Sequence, residues 1–455
     1  MSSSSQSASF PPEILGEIFL ASIPVLGNRE NRPAYLPWTL SHVCRYWRTS
    51  ALSFPKLWSF LDVEQTQENE EGGSPAHFLM ETYLERSGKH PLTFRLAYSN
   101  ETMHYQSFLE CLNNHCARWR DVVIDSPDHR ALEVLFQADP SDYPNLRSLV
   151  CSSCDFNHEA ERSLGPIPWS QLQRYHEYEC MWSPDSEHQW SIITQLTNVV
   201  DLRVEFYGDC AAFYSSDDDS DGEDDETKND GDSNKDDVVE LNRLQFASFA
   251  VHQRAEDLDI TQILDCLHLP AVQGLNLKFM PNHSPDLLFP MPAQLKGLKI
   301  LRLCGSLVIS NEALSCILTE LEGLADLAVE MRGVGANVWG DPGLDAMHLF
   351  TLLTPSRNTE SVVLLPKLQA LRITEFELVD GVVDTLLAML RQRFAVDGAD
   401  FARLKRFEFS SLKAQKRPST LLDTLELMQV QEGWNIRIDE ERQDFWRVDM
   451  TSEFL

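Results

Sequence analysis

Three hexapeptides decide the fold of this chain: VQGLNL at 272–277, LKILRL at 298–303 and LADLAV at 324–329. Each carries apolar residues at its first, fourth and sixth positions. The middle anchors Leu275, Leu301 and Leu327 follow one another at steps of 26 residues. Residues two apart share one side of an extended strand, so the fourth and sixth positions mark a strand with a buried face. A strand recurring at a fixed step of this size marks a repeat array in which each unit is one strand and its return. Working outward, the same core recurs at Trp119-Val122-Ile124, Leu146-Leu149-Cys151, Val199-Leu202-Val204, Leu241-Leu244-Phe246, Leu368-Leu371-Ile373 and Leu404-Phe407-Phe409. Leu172-Tyr175 starts another, which Glu177 breaks at its third position. The middle anchors advance by 27, 26, 27, 42, 31, 26, 26, 44 and 36 residues. Helical stretches fit between them, with Ser310 ahead of NEALSCILTEL and Asp380 ahead of GVVDTLLAMLRQRF as capping residues. The expected fold class is α/β, with strand–helix repeats forming a parallel sheet. An ordinary α/β domain with leucine in its buried strands is the alternative, and the regular spacing argues against it.

The 455 residues exceed one ordinary domain unless most of them form one elongated array. Hydrophobic residues at 43% and charged residues at 24% match a packed globular chain. No apolar run approaches the roughly 18–20 residues that span a bilayer, and the start, MSSSSQSASF, is polar. The expectation is therefore an intracellular protein, cytoplasmic or nuclear, with no membrane partner. The ten cysteines are scattered, many within apolar patterns, which reads as small buried side chains without a disulfide framework. A net charge of −32 argues against a nucleic-acid partner, because phosphate binding depends on Lys and Arg. Between Asp217 and Asp237 stand 12 acidic residues and 2 lysines, so this segment holds −10 of the total and −22 is spread over the rest. The 42-residue step contains this acidic insert, 215–237, and the 44-residue step contains the glycine-rich stretch 332–343. The insert is too polar to bury a core and is expected to be disordered, as is the start, 1–9.

Ahead of the repeats lies a different pattern. Pro11 and Pro12 open the run FPPEILGEIFLAS, where proline's fixed φ suits a first helical turn, and Glu13 lies near the positive helix end. Ile14, Leu15, Ile18 and Phe19 then form one apolar stripe at helical period. In WTLSHVCRYWRTSAL, Leu40, Val43, Cys44 and Trp47 form a second stripe, and FPKLWSFL adds Leu57, Trp58 and Leu61. Some 50 residues bury a small share of their own surface, so part of these faces is left for a partner or for the remaining chain.

The order Pro-x-Glu-Ile-Leu-x-x-Ile-Phe, then Leu-x-x-Val-Cys-x-x-Trp-Arg, then Leu-Trp resembles the F-box, over residues 10–61. Two departures stand out: Phe10 occupies the position of a leucine, and the loop from Ile23 to Pro37 is longer than in a minimal F-box. The resemblance implies that Phe10, Pro11, Ile14, Leu15, Ile18, Phe19, Val43, Cys44 and Trp47 engage a Skp-type adaptor of a cullin-RING (SCF-type) ubiquitin ligase. The body, 62–455, loosely resembles the irregular leucine-rich-repeat solenoids of F-box substrate receptors. On that footing the chain is a non-enzymatic receptor that holds the ligase at one end and a protein substrate along the repeats. A leucine-rich scaffold without a ubiquitin role is the competing reading.

Other candidate sites fall away on chemistry. Asp217, Asp219, Asp221 and Gly222 open like a calcium loop, but its twelfth position is Lys228 rather than a bidentate glutamate. Cys151 and Cys154 lack the further ligands that zinc needs, and Gly333, Gly335, Gly340 and Gly343 lack the Gly-Lys-Ser/Thr of a phosphate loop. No catalytic constellation and no cofactor site is read. Strand alternation turns the residue between the last two anchors of each core to the other sheet face. Those positions are Arg203, Gln245, Asn276, Arg302, Ala328, Arg372 and Glu408, which places Arg203, Arg302 and Arg372 on an exposed face suited to an acidic or phosphorylated substrate segment.

Overall fold

The computed structural model describes residues 10–23, 36–65, 75–98, 106–125, 130–152, 155–156, 167–178, 181–182, 187–206, 238–251, 260–279, 293–305, 311–330, 346–355, 364–374, 380–395, 401–410 and 419–439. The acidic insert, the stretch 332–343 and the start, 1–9, lie outside them. The chain divides into two compact units, Met1–Ser183 and Pro184–Leu455.

The first unit opens with helices α1 (Pro12–Ala21), α2 (Leu36–Val43) and α3 (Arg45–Leu52) and a 3-10 turn at Pro55–Ser59. Five strands of the main sheet follow: β1 (Phe60–Gln65), β2 (Leu92–Tyr98), β3 (Trp119–Asp125), β4 (Ser148–Ser152) and β5 (Arg174–Tyr178). They pair in sequence order and all in parallel. Parallel neighbours need a crossover. α4 (Pro75–Arg86), α5 (Gln106–Asn113), α6 (Arg130–Leu135) and the 3-10 turn Trp169–Gln171 supply the four crossovers in turn. The register aligns Leu61, Phe94, Val122, Leu149 and Tyr175 in one buried row. β1 and β2 thus extend the array by two units ahead of the first core legible in the sequence.

The second unit continues the pattern with α7 (Glu187–Gln195) and eight parallel strands. These are β6 (Asp201–Phe206), β7 (Phe246–Val251), β8 (Gly274–Phe279), β9 (Ile300–Gly305), β10 (Asp326–Glu330), β11 (Ala370–Thr374), β12 (Arg406–Ser410) and β13 (Ile436–Asp439). Between them run α8 (Ile260–Asp265), α9 (Asn311–Glu320), α10 (Ala346–Leu353), α11 (Asp380–Ala395) and α12 (Ser419–Glu432). α9 and α11 are the helices read after Ser310 and Asp380. Leu202, Ala247, Leu275, Leu301, Leu327, Leu371, Phe407 and Ile436 form one buried row. The fold class is α/β with parallel sheet, as the 26-residue step requires.

One register departs from the sequence reading. Leu244, Val272, Leu298, Leu324 and Leu368 each donate a backbone N–H to the carbonyl three residues back, at 3.0–3.3 Å, so an apolar-x-x-apolar turn precedes each strand. Leu241 belongs to that turn, with Leu269, Leu295, Leu321 and Leu365. The strand core of this repeat is Leu244-Ala247-Phe249, three residues later than Leu241-Leu244-Phe246. Gln245 then aligns with Gln273, Lys299 and Ala325, each donating its N–H to the matching carbonyl of the preceding repeat at 2.7–2.9 Å. Ser248, not Gln245, stands beside Arg203 and Asn276.

A buried cation closes the turn before β11. Arg393 on α11 is fully buried and donates from Nε to Leu353 O (2.8 Å), from Nη1 to Leu365 O (3.0 Å) and from Nη2 to Leu364 O (2.7 Å). Leu365 has φ 48, the left-handed region that a residue with a Cβ enters at a cost. The guanidinium holds that turn in place.

Candidate interaction surfaces

The N-terminal helices build a small core whose geometry sorts the nine residues expected at an adaptor interface. Leu15 and Phe19, at 3% and 1% exposure, face inward, and Phe19 packs its ring on Trp47 with centroids 5.1 Å apart. These two are corrected to core residues: α1 sits so close to the Pro55–Ser59 turn that a Cβ at Gly16 would lie 3.0 Å from three atoms of the Phe54 ring, which leaves no surface on that side. Trp47 is half-buried behind Phe19. Phe10 (58%), Ile14 (49%), Ile18 (45%) and Val43 (57%) are exposed, and so are Pro11 and Cys44. Ile14 and Ile18 lie one turn apart on the outer face of α1, and Phe10 stands exposed just ahead of it.

The second stripe is also rearranged. Cys44 is extended (φ −158, ψ 171), which separates α2 from α3, and its Sγ accepts the Trp47 N–H at 3.4 Å as a helix cap. Leu40 consequently turns inward while Val43 turns out. Below them Trp58 is fully buried, donates Nε1–H to Ala51 O at 2.8 Å and meets Trp38 and Tyr83 edge-on at 5.5 and 5.1 Å. Arg86 of α4 stands over both indoles, 4.8 Å from Trp38 and 4.4 Å from Trp58. The helical module and the first repeat therefore share one core, although the sequence pattern changes at residue 61. Replacing Arg86 with Ala is expected to destabilise the first unit by about 2 kcal/mol, from the cation–π contacts and the aliphatic stem. Arg86→Met, which keeps the stem, is expected to lose about half of that in denaturant unfolding.

The other sheet face is polar, but it is not open. In the first unit Arg95 bridges Asp62 (3.2 Å) and Asp125 (2.5 Å) on the two neighbouring strands, and Thr93 donates to Asp121 at 2.9 Å. In the second unit the register places Arg203, Ser248, Asn276, Arg302, Ala328, Arg372, Glu408 and Arg437 in one row. Arg203, Arg302 and Arg372 are 1%, 0% and 6% exposed, which corrects the expectation that they meet a substrate on an open face. Neighbouring strands lie about 4.8 Å apart, within reach of opposite charges. Arg372 pairs with Glu408 on the next strand, and Arg406 reaches Asp326 at 2.9 Å past Ala370. Phe246 and Ile300 cluster on the same face, with Gly274 between them in the register. Alternation does set Arg203, Arg302 and Arg372 on the face opposite the apolar row, where they are enclosed among neighbouring strands rather than offered to a partner.

Among the described residues, no three His, Cys, Asp or Glu side chains converge to hold a metal ion, and no helix is long and apolar enough to cross a membrane. Cys151 is buried on the core face of β4 beside Ile124, and Cys154 lies outside the described residues. No family model matches the chain, and the curated proteins yield no significant match.

Proposed function

We propose that the chain is the substrate receptor of a cullin-RING ubiquitin ligase, docking a Skp-type adaptor through Phe10, Pro11, Ile14, Ile18, Val43 and Cys44. The observation that carries this reading is the exposure of Ile14 and Ile18, one turn apart on a helix whose opposite face is packed, with Phe10 exposed just ahead of it. The module's own folding leaves that outer stripe unused, and its order of residues resembles the F-box. Leu15, Phe19 and Trp47 support the surface from behind. The repeat body presents a protein substrate by surface contacts outside the enclosed arginine row, and the ubiquitin chemistry belongs to the partner subunits. Co-expression of the full chain with a Skp-type adaptor is expected to give a stable complex on gel filtration. A chain that elutes alone at micromolar concentration would instead favour a repeat scaffold without a ubiquitin role.

A further inference from the structure

The side chain of Tyr46 on α3 donates its hydroxyl to the backbone carbonyl of Phe10 at 2.5 Å, across 36 residues of sequence. Phe10 precedes α1, whose first helical bond runs from Leu15 N–H to Pro11 O at 3.0 Å, so the helix itself does not hold Phe10. Two prolines follow it. The residue before a proline is confined to extended conformations, and Pro11, at φ −52 and ψ 146, passes that restriction into the helix. The following proline and the Tyr46 hydrogen bond thus act together on the carbonyl side of Phe10, where the chain enters α1.

The hydrogen bond is exposed, and Tyr46 itself is 37% exposed. Water could satisfy both groups, so burial of polar atoms is not what the bond achieves. Its consequence is orientation: it fixes the backbone of an exposed aromatic residue where the chain enters α1, ahead of the exposed Ile14. We infer that Tyr46 is a positioning residue for partner docking, holding Phe10 in its bound conformation before the partner arrives; this rests on the adaptor reading above. Ordering an exposed segment in advance removes an entropic cost from association.

The test is a binding titration of the full chain with a purified Skp-type adaptor, using Tyr46→Phe, Phe10→Ala and the double variant. Tyr46→Phe removes only the hydroxyl and is expected to weaken binding about five-fold, the scale of one exposed hydrogen bond, with an unchanged melting temperature. Phe10→Ala is expected to weaken binding about ten-fold or more. Because Tyr46 acts through Phe10, the double variant is expected to bind no worse than Phe10→Ala alone. Wild-type affinity in Tyr46→Phe, a further five-fold loss in the double variant, or a lowered melting temperature in Tyr46→Phe would each overturn the inference while wild type still binds. Failure of wild type to bind overturns the adaptor reading, and this inference with it.

Discussion

Replacing Arg393 with methionine is expected to destabilise the second unit by about 4 kcal/mol, because it strands the buried carbonyls of Leu353 and Leu365 and the half-buried one of Leu364, a buried acceptor costing roughly 1–3 kcal/mol when its donor is lost. Methionine fills most of the apolar stem volume, so the loss reports the hydrogen bonds to Leu353, Leu364 and Leu365 rather than a cavity. Arg393→Lys is expected to recover little of it. A compact ammonium cannot donate along three separate directions as the planar guanidinium does. The left-handed turn at Leu365 is then free to relax, and Phe394, stacked on Trp434 at 4.6 Å with an interplanar angle of 7°, shifts with it. Burial pushes the Arg393 pKa down to about 10, below its ordinary value, so the folded chain releases this proton before the unfolded chain does. Arg393 makes stability rise with pH only from about pH 10 upward; around neutrality both states keep the proton, and the methionine variant's loss is expected to be the same at pH 6 and pH 8. Denaturant unfolding at both pH values checks this. A loss under about 1 kcal/mol at either would show that the turn holds without its clamp.

The repeat step was legible because its signal is periodic and cheap to read: one leucine-type anchor every 26 or 27 residues fixed the parallel strands from Val122 to Val204 and from Leu275 to Val329. It weakened wherever an anchor is small or the step is irregular. Ala247 is an alanine, so the pattern slid three residues onto the equally apolar turn at Leu241 and Leu244, and Ser248 was missed. β2 and β13 escape the pattern because Pro91 and Gly433 stand where its first apolar anchor belongs, and β1 because Leu61 reads as part of the helical module. Seven of the nine expected docking residues are legible as helix stripes, and Phe10 and Pro11 follow only from the F-box resemblance; period alone does not say which side of a stripe faces the core. The deciding facts are tertiary: the Phe54 ring against Gly16, and the extended backbone at Cys44. Exposure of Arg203, Arg302 and Arg372 was misjudged for a related reason. Alternation assigns a sheet face and carries no information on whether that face is enclosed. Tyr46 and Arg86 left no sequence signal, since each acts through one contact with a residue tens of positions away.

The outer and inner residues of α1 are expected to separate binding from folding. Ile14→Asp with Ile18→Asp changes two exposed positions, and Ile14 lies in the first helical turn, where an acidic side chain is favoured by the helix dipole. Lower helix propensity at position 18 costs about 0.5 kcal/mol, so the melting temperature is expected to stay within a few degrees of wild type. Adaptor binding is expected to fall by at least about 100-fold, because two carboxylates would have to be desolvated in an apolar contact at roughly 2 kcal/mol each. Phe19→Ala should behave in the opposite way. Its ring is buried against Trp47, so truncation is expected to cost about 3–4 kcal/mol of stability, and any loss of binding should follow the fraction unfolded. Measuring melting and adaptor affinity on the same preparations distinguishes the two classes. If the Ile14 and Ile18 double variant binds the adaptor as wild type does while remaining folded, the outer stripe of α1 is not the docking surface.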